Sequence, residues 1–296
     1  MVIEVLSKII SESLLSLYPI FVKKIHIPFI LHLWSRFFIY VLVSSFFIDW
    51  KFVFETIFST NGLLLSFVSI LHIFFSYRGF QLLESGIAYV CFYTYPIMIL
   101  LLSGEKMHLL TLFYLFIVIF GIYLLFYSSN NVDSINNYER KDKKEKEEKA
   151  KPPILGFFMI FMAAFTEAAI YFIVRRIPTN NNWNHLFISY FFGAILFSIY
   201  YLFVTDIKTN NNSLTLLILI ALLINFIIGL FGYLLRFYSI TRLPTKIYAG
   251  LSYIGIIMAF IYGIVFNKEQ ITILKIFGTS CIALPVYLLS SSDSNS

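Results

Sequence analysis

Ten stretches of about twenty mostly apolar residues restrict this chain more than any other feature. They lie at about 4–22, 28–48, 62–78, 85–103 and 108–127, and, after a gap, at about 154–174, 184–204, 213–235, 246–266 and 271–290. An α-helix needs about 20 apolar residues to cross the hydrocarbon layer of a bilayer. Inside that layer every backbone N–H and C=O must find its partner within the protein, so runs of this kind become helices. A soluble core cannot absorb ten of them. The chain is 59% hydrophobic and 13% charged, with mean hydropathy +0.83, whereas soluble domains carry roughly 25% charged residues. The expected fold class is therefore all-α integral membrane, with ten transmembrane helices.

Polar punctuation separates the runs: Lys23-Lys24, Asp49-Trp50-Lys51, Arg78-Gly79, Gly104-Glu105-Lys106, Arg175-Arg176, Asn210-Asn211-Asn212 and Asn267-Lys268-Glu269. The first run is broken by Glu4, Lys8 and Glu12 and lacks a basic start with a small-residue cleavage site, so it reads as a membrane helix rather than a secretory signal. The gap at 128–153 is polar and mixed in charge, as a solvated linker is. Its acidic residues nearly cancel its basic ones, which argues against a lipid-binding basic patch. The net charge of +6 falls between apolar runs, where it fits membrane topology better than nucleic acid.

Five runs, a linker and five runs invite a search for a repeat. Glu105 and Glu269 lie 164 residues apart, and at the same offset Gly121-Ile-Tyr-Leu-Leu meets Pro285-Val-Tyr-Leu-Leu. Arg36-Phe-Phe resembles Tyr190-Phe-Phe, and Lys23-Lys24-Ile resembles Arg175-Arg176-Ile, at slightly different offsets. Five is odd, so the second unit enters the membrane upside down relative to the first. Such inverted repeats build alternating access around a midplane site. The expected organisation is a first repeat at 1–127, the linker at 128–153, a second repeat at 154–290 and a polar tail at 291–296.

Ionisable residues inside membrane helices are costly, at about 2.5–3.5 kcal/mol on insertion scales, and mark function by default. Glu4, Lys8 and Glu12 share a helix face at i, i+4 spacing. They form either a self-neutralising pair near the interface or a polar stripe along a cavity. Glu167 stands alone in FMAAFTEAAIYFIV, three residues past the position matching Glu12, so each half places a carboxylate in its first helix. Desolvation favours a proton on such a group, for coupling or for anchoring a solute. The competing reading is a buried structural glutamate. Arg36, one turn after His32, is suited to countering Glu12, to holding an anionic solute, or to snorkelling. Ser85, Tyr89 and Tyr93 make one polar-aromatic face; Tyr248, Ser252, Gly255 and Ala259 make another, as cavity lining or as helix packing. On a continuous helix Tyr95 points away from Tyr93, and Pro96 is the expected bend. Arg78 and Arg236, at the ends of matching spans, are topology signals and gating candidates.

The string Phe92-Tyr-Thr-Tyr-Pro96 followed by Gly104-Glu105-Lys106, with Asn267-Lys268-Glu269 in the second half, resembles the drug/metabolite transporter superfamily, and within it proteins of two EamA-type repeats. The resemblance runs over nearly the whole chain. It implies spans one to four and six to nine around a central cavity, peripheral spans five and ten, cytosolic termini and an arginine near Arg36. Two departures stand out. The interval from Pro96 to Glu105 is about four residues short of the family's, and the glycine pair after each glutamate is split, with Gly121 in one half, Gly278 in the other, and Tyr114 and Pro285 in the remaining places.

The expected function is secondary transport of a small organic solute such as an amino acid, metabolite or drug-like molecule. The candidate solute-binding residues are Glu12, Arg36, Tyr89, Tyr93, Glu167, Tyr248 and Ser252, with Arg78 and Arg236 as candidate gates. An exchanger of nucleotide sugars or phosphorylated sugars is the first alternative and makes Arg36, Arg78 and Arg236 essential. A non-transporting scaffold or receptor is the second, and would tolerate Gln or Leu at positions 12 and 167. No phosphate-binding glycine loop, nucleophile elbow or metal-ligand spacing is present, so no enzyme activity, cofactor or metal is expected. Cys91 and Cys281 lie in apolar runs and suggest no disulfide framework. The expected partners are a small-molecule solute and membrane lipid, without nucleic acid; a homodimer is left open. Loop lysines and arginines number seven on the side of the termini and five opposite, and the linker's own charges reverse that count. Charges far from helix ends weigh less, and with the resemblance this favours cytosolic termini.

Overall fold

The computed structural model describes residues 2–25, 27–103, 110, 113–114, 116–125, 127–128, 153–204, 212–268 and 271–291. Most of the linker, the punctuation at 104–106, Glu269 and the residues after 291 lie outside the described residues.

Among the described residues the regular structure is helical, without strands. The order is α1 (Val2–Leu15), α2 (Tyr18–Lys24), α3 (Phe29–Ser44), α4 (Trp50–Ile57), α5 (Thr60–Leu82), α6 (Ser85–Phe92), α7 (Tyr95–Leu102) and α8 (Phe116–Leu125). It continues with α9 (Pro153–Arg175), α10 (Asn182–Val204), α11 (Asn212–Ile224), a π-helical turn (Asn225–Leu230), α12 (Phe231–Arg242), α13 (Thr245–Leu251), α14 (Tyr253–Asn267) and α15 (Ile273–Ser291). Seven helical stretches are long and apolar enough to cross a membrane: Val2–Lys24, Thr60–Leu82, Ser85–Leu102, Ile154–Arg175, Asn182–Phe203, Thr215–Arg242 and Thr245–Phe266. Phe29–Ser44, Phe116–Leu125 and Ile273–Pro285 are shorter apolar helices in the three remaining runs.

The molecule is apolar outside and polar inside. Phe46, Phe67, Phe116, Phe158, Phe203 and Ile273 are all more than half exposed. Lys8, Glu12, His72, Glu167 and Arg236 are buried. Water would reverse that arrangement, and lipid favours it. Helix contacts inside use small groups and hydroxyls in the way membrane bundles do. Ser11 donates to the Gly232 carbonyl at 2.8 Å between α1 and α12, and α5 lies so close on α9 that a Cβ on Gly79 would meet Ile160 at 2.5 Å. Gly121 of α8 and Gly278 of α15 face each other; a Cβ on Gly121 would stand 2.7 Å from the Gly278 carbonyl oxygen. The split glycine pair is thus one contact, with each half contributing one glycine.

Local chemistry sets several helix ends. Asp49, expected as a simple break, caps α4 by accepting from the Phe52 N–H at 3.2 Å, and Ser59 caps α5 through the Gly62 N–H at 3.2 Å. Helix α4 carries the exposed Trp50 and Phe54 and is too short to span. Three of the long stretches are interrupted. The first breaks at Ser16-Leu17, the fourth at Tyr93-Thr94 and the ninth at Ser252. Pro96 lies in the first turn of α7, where its missing N–H costs nothing, so the break falls two residues earlier than the proline suggests.

Candidate functional site

Lys8 and Glu12 are one turn apart on α1, and their side chains are fully buried and paired with each other. The pair is therefore enclosed by the helix bundle. Glu12 collects donors from two further helices and from the turn between α6 and α7. The Tyr93 hydroxyl donates to Oε2, the Tyr95 hydroxyl to Oε1 at 3.2 Å, and Arg236 Nη2 reaches both oxygens at 3.2 and 3.3 Å. Arg236 also binds Glu167 Oε1 through Nη1 at 2.6 Å. One guanidinium on α12 thus ties the carboxylate of α1 to the carboxylate of α9.

Arg236 was expected at the end of a span. The helix continues to Arg242, which carries Arg236 into the interior at 1% exposure. Tyr95 also departs from expectation. The turn at Tyr93-Thr94 resets the helical phase, so Tyr93 and Tyr95 both aim at Glu12, with ring centroids 5.7 Å apart. Tyr95 further meets Ser252 Oγ at 3.0 Å and Lys8 Nζ at 3.1 Å, and Lys8 sits over the Tyr248 ring at 3.6 Å. Gly255 makes room for Tyr93: a Cβ there would fall 1.8 Å from its hydroxyl. Tyr89 packs on Tyr93 with centroids 5.0 Å apart. Both interrupted helices, α6–α7 and α13–α14, therefore present their breaks to one buried polar layer.

Glu167 is not alone, as the sequence suggested, but half of its carboxylate is unfilled. Its Oε2 lies 3.3 Å from His72 Nε2 and has no hydrogen-bond donor among the described residues. His72 Nδ1 faces the Ala163 carbonyl at 3.1 Å, so that nitrogen carries a proton, and Nε2 faces the Tyr233 hydroxyl at 3.2 Å. A proton fits between His72 Nε2 and Glu167 Oε2. Histidine 72 was missed because only metal spacing was sought; an isolated histidine in the run 62–78 was the available signal.

Arg36 stands apart from this layer. No salt bridge joins it to a carboxylate among the described residues, so it does not counter Glu12, and at 2% exposure it does not snorkel. It is enclosed by Tyr18, Tyr40, Tyr77, Tyr190 and Tyr233, with ring centroids 4.5–5.8 Å from its guanidinium carbon. Its Nη1 and Nη2 donate to the hydroxyls of Tyr77 and Tyr190 at 3.2 and 3.1 Å. The π-helical turn supplies the far wall. Asn225 binds Tyr77 at 3.2 Å and Ser35 at 2.8 Å, and Gly229 leaves space for Tyr18 and Tyr40, whose hydroxyls would each lie 1.6 Å from an added Cβ. Single π-helical turns inside α-helices often mark functional places. Arg78 joins neither group; half-buried, it binds Gln81 at 3.2 Å and lies over Phe29.

Membrane-length helices that are apolar outside and ion-paired inside define the class, an integral multi-pass membrane protein. Residues 154–291 match the EamA-like transporter family, in agreement with the resemblance to the drug/metabolite transporter superfamily. The matched residues make up the second half of the chain, and the family they match is one of transporters. A solved structure, described as "Crystal structure of protein", superposes with a TM-score of 0.56 at 13% identity, covering 97% of this chain and 97% of its own; the likeness speaks for the fold alone. No curated protein matches the chain.

Proposed function

We propose that the chain is a secondary transporter of a small organic solute, working by alternating access around the buried polar layer. The observation that carries the reading is the link from Glu12 through Arg236 to Glu167, which joins α1 of the first half to α9 and α12 of the second. A pair of interrupted helices in corresponding places, α6–α7 and α13–α14, supports it, because such interruptions are a sequence pointer to a midplane site. On this reading the three shorter apolar helices also cross, the two five-helix units at 1–127 and 154–290 are inverted repeats, and α8 and α15 meet at the periphery. The termini face the cytosol. Glu12, Tyr89, Tyr93, Tyr95, Tyr248 and Ser252 line the path, and Arg236 acts as the moving tie between halves rather than as an end-of-helix gate. The His72–Glu167 pair carries the coupling proton.

The test is uptake and efflux by the full chain in proteoliposomes, against neutral, cationic and phosphorylated solutes, with Glu12→Gln and Glu167→Gln beside the wild type. Flux of one class that falls in both variants is expected. Folded variants that match the wild type would support a scaffold or receptor.

A further inference from the structure

Buried charge is balanced in the polar layer and unbalanced beside it. Lys8 and Arg236 face Glu12 and Glu167, two cations with two anions. Lys275 is paired with Glu84. Arg36 has only aromatic rings and hydroxyls around it. Its Nε, like that of Arg236, is buried without a hydrogen-bond partner among the described residues, so the difference between the two lies in charge. Tyr190 accepts from Arg36 and keeps its own proton to give, and Tyr18 and Tyr40 share one hydrogen bond of 2.6 Å. The box is therefore rich in donors and one negative charge short.

Resting on the transport reading, we propose that Arg36 binds the anionic group of the solute, and that the solute is an organic monocarboxylate. A single negative charge neutralises Arg36, whereas a dianionic phosphate would leave an excess negative charge in the membrane interior. Two carboxylate oxygens suit the planar fork of a guanidinium, and five tyrosine rings suit an apolar or aromatic body. Tyr233 touches both arginines, with its ring centroid 4.7 Å from Arg36 and 5.5 Å from Arg236, and its hydroxyl meets His72. An anion at Arg36 therefore lies one residue from the His72–Glu167 proton position, and the two opposite charges favour each other's arrival.

The experiment measures the thermal midpoint of the detergent-solubilised full chain, at constant ionic strength, with benzoate, phenylacetate or lactate, with their amides, and with glucose 6-phosphate. Labelled forms of the same compounds are then followed into proteoliposomes. Ligands that bind only the folded state raise the midpoint by mass action. At least one monocarboxylate should do so and enter the vesicles, its amide should do neither, and Arg36→Gln should remove the shift and lower flux at least tenfold. Amides as effective as acids, a shift retained in Arg36→Gln, stabilisation by glucose 6-phosphate alone, or no stabilisation by any of the acids would each overturn the proposal. Should Arg36→Gln fail to fold, Tyr190→Phe removes one donor and should weaken carboxylate binding several-fold; unchanged binding counts against the box. Stabilisation by acids without flux keeps the Arg36 site and overturns the transport reading. Flux of neutral solutes without any effect of acids does the reverse.

Discussion

Arg36 and Arg236 are both fully buried, both lie among tyrosines and both touch Tyr233, yet their neighbours differ in kind. Arg236 is held by two carboxylates from different helices. Arg36 is held by five rings and has no carboxylate among the described residues. In the first arrangement each charge is answered inside the protein, although Arg236 Nε and Glu167 Oε2 lack a hydrogen-bond partner among the described residues. In the second the charge is not answered. A buried cation at membrane depth is costly unless something offsets it, and ring faces offset it only in part, at about 0.5–2 kcal/mol each. On the proposed reading, the contrast separates a residue that ties α1 to α9 from one that waits for a charge to be delivered.

Substitutions can break or sharpen that contrast. Arg236→Ala should have the largest effect, because it strands Glu12 and Glu167 without their shared cation. Removing one member of a buried ion pair costs about 3–5 kcal/mol, and the expected reading is loss of the cooperative thermal transition in detergent. Gly255→Ala comes next, since its Cβ would meet the Tyr93 hydroxyl 1.8 Å away and push it off Glu12. Overpacking of this kind costs about 1–3 kcal/mol; a midpoint equal to the wild type's would mean that Tyr93 moves freely. Arg36→Gln strands no carboxylate, so its midpoint should stay well above that of Arg236→Ala in the same buffer. An equal or larger loss at Arg36 would erase the distinction between the two arginines. Glu167→Gln keeps an oxygen that accepts from Arg236 but leaves Lys8 and Arg236 facing Glu12 alone, so its loss of stability should stay below that of Arg236→Ala, which strands two carboxylates. Its mark is on the pH dependence of flux, which should flatten as the proton position beside His72 is lost. A proton-coupled flux with an unaltered pH profile in this variant would remove Glu167 from coupling.

Much of the fold was legible because apolar length is a strong signal: apart from the short α4, the helices fall in the predicted runs. Glu12 and Glu167 were legible for the same reason, as charges that interrupt apolar text. Tyr95 was misplaced because face arguments assume one unbroken helix, and the turn at Tyr93-Thr94 ends that assumption two residues before Pro96. Arg236 was misplaced because hydropathy falls off at its own position while the helix runs on to Arg242. The box around Arg36 was not legible at all. Its rings come from α2, α3, α5, α10 and α12, a convergence set by packing over more than two hundred residues of chain rather than by local spacing. The π-helical turn that forms its wall depends on one extra residue per turn, which no periodicity in the sequence announces.

Counterflow tests the central claim most directly. Proteoliposomes holding the full chain are preloaded with an unlabelled solute that the protein carries, and uptake of the labelled solute is followed at low external concentration. Alternating access around one site predicts saturable uptake that preloading accelerates several-fold, with the acceleration lost in Arg236→Gln. Uptake that rises linearly with concentration and ignores preloading, or no uptake of any solute class by folded protein, would contradict it.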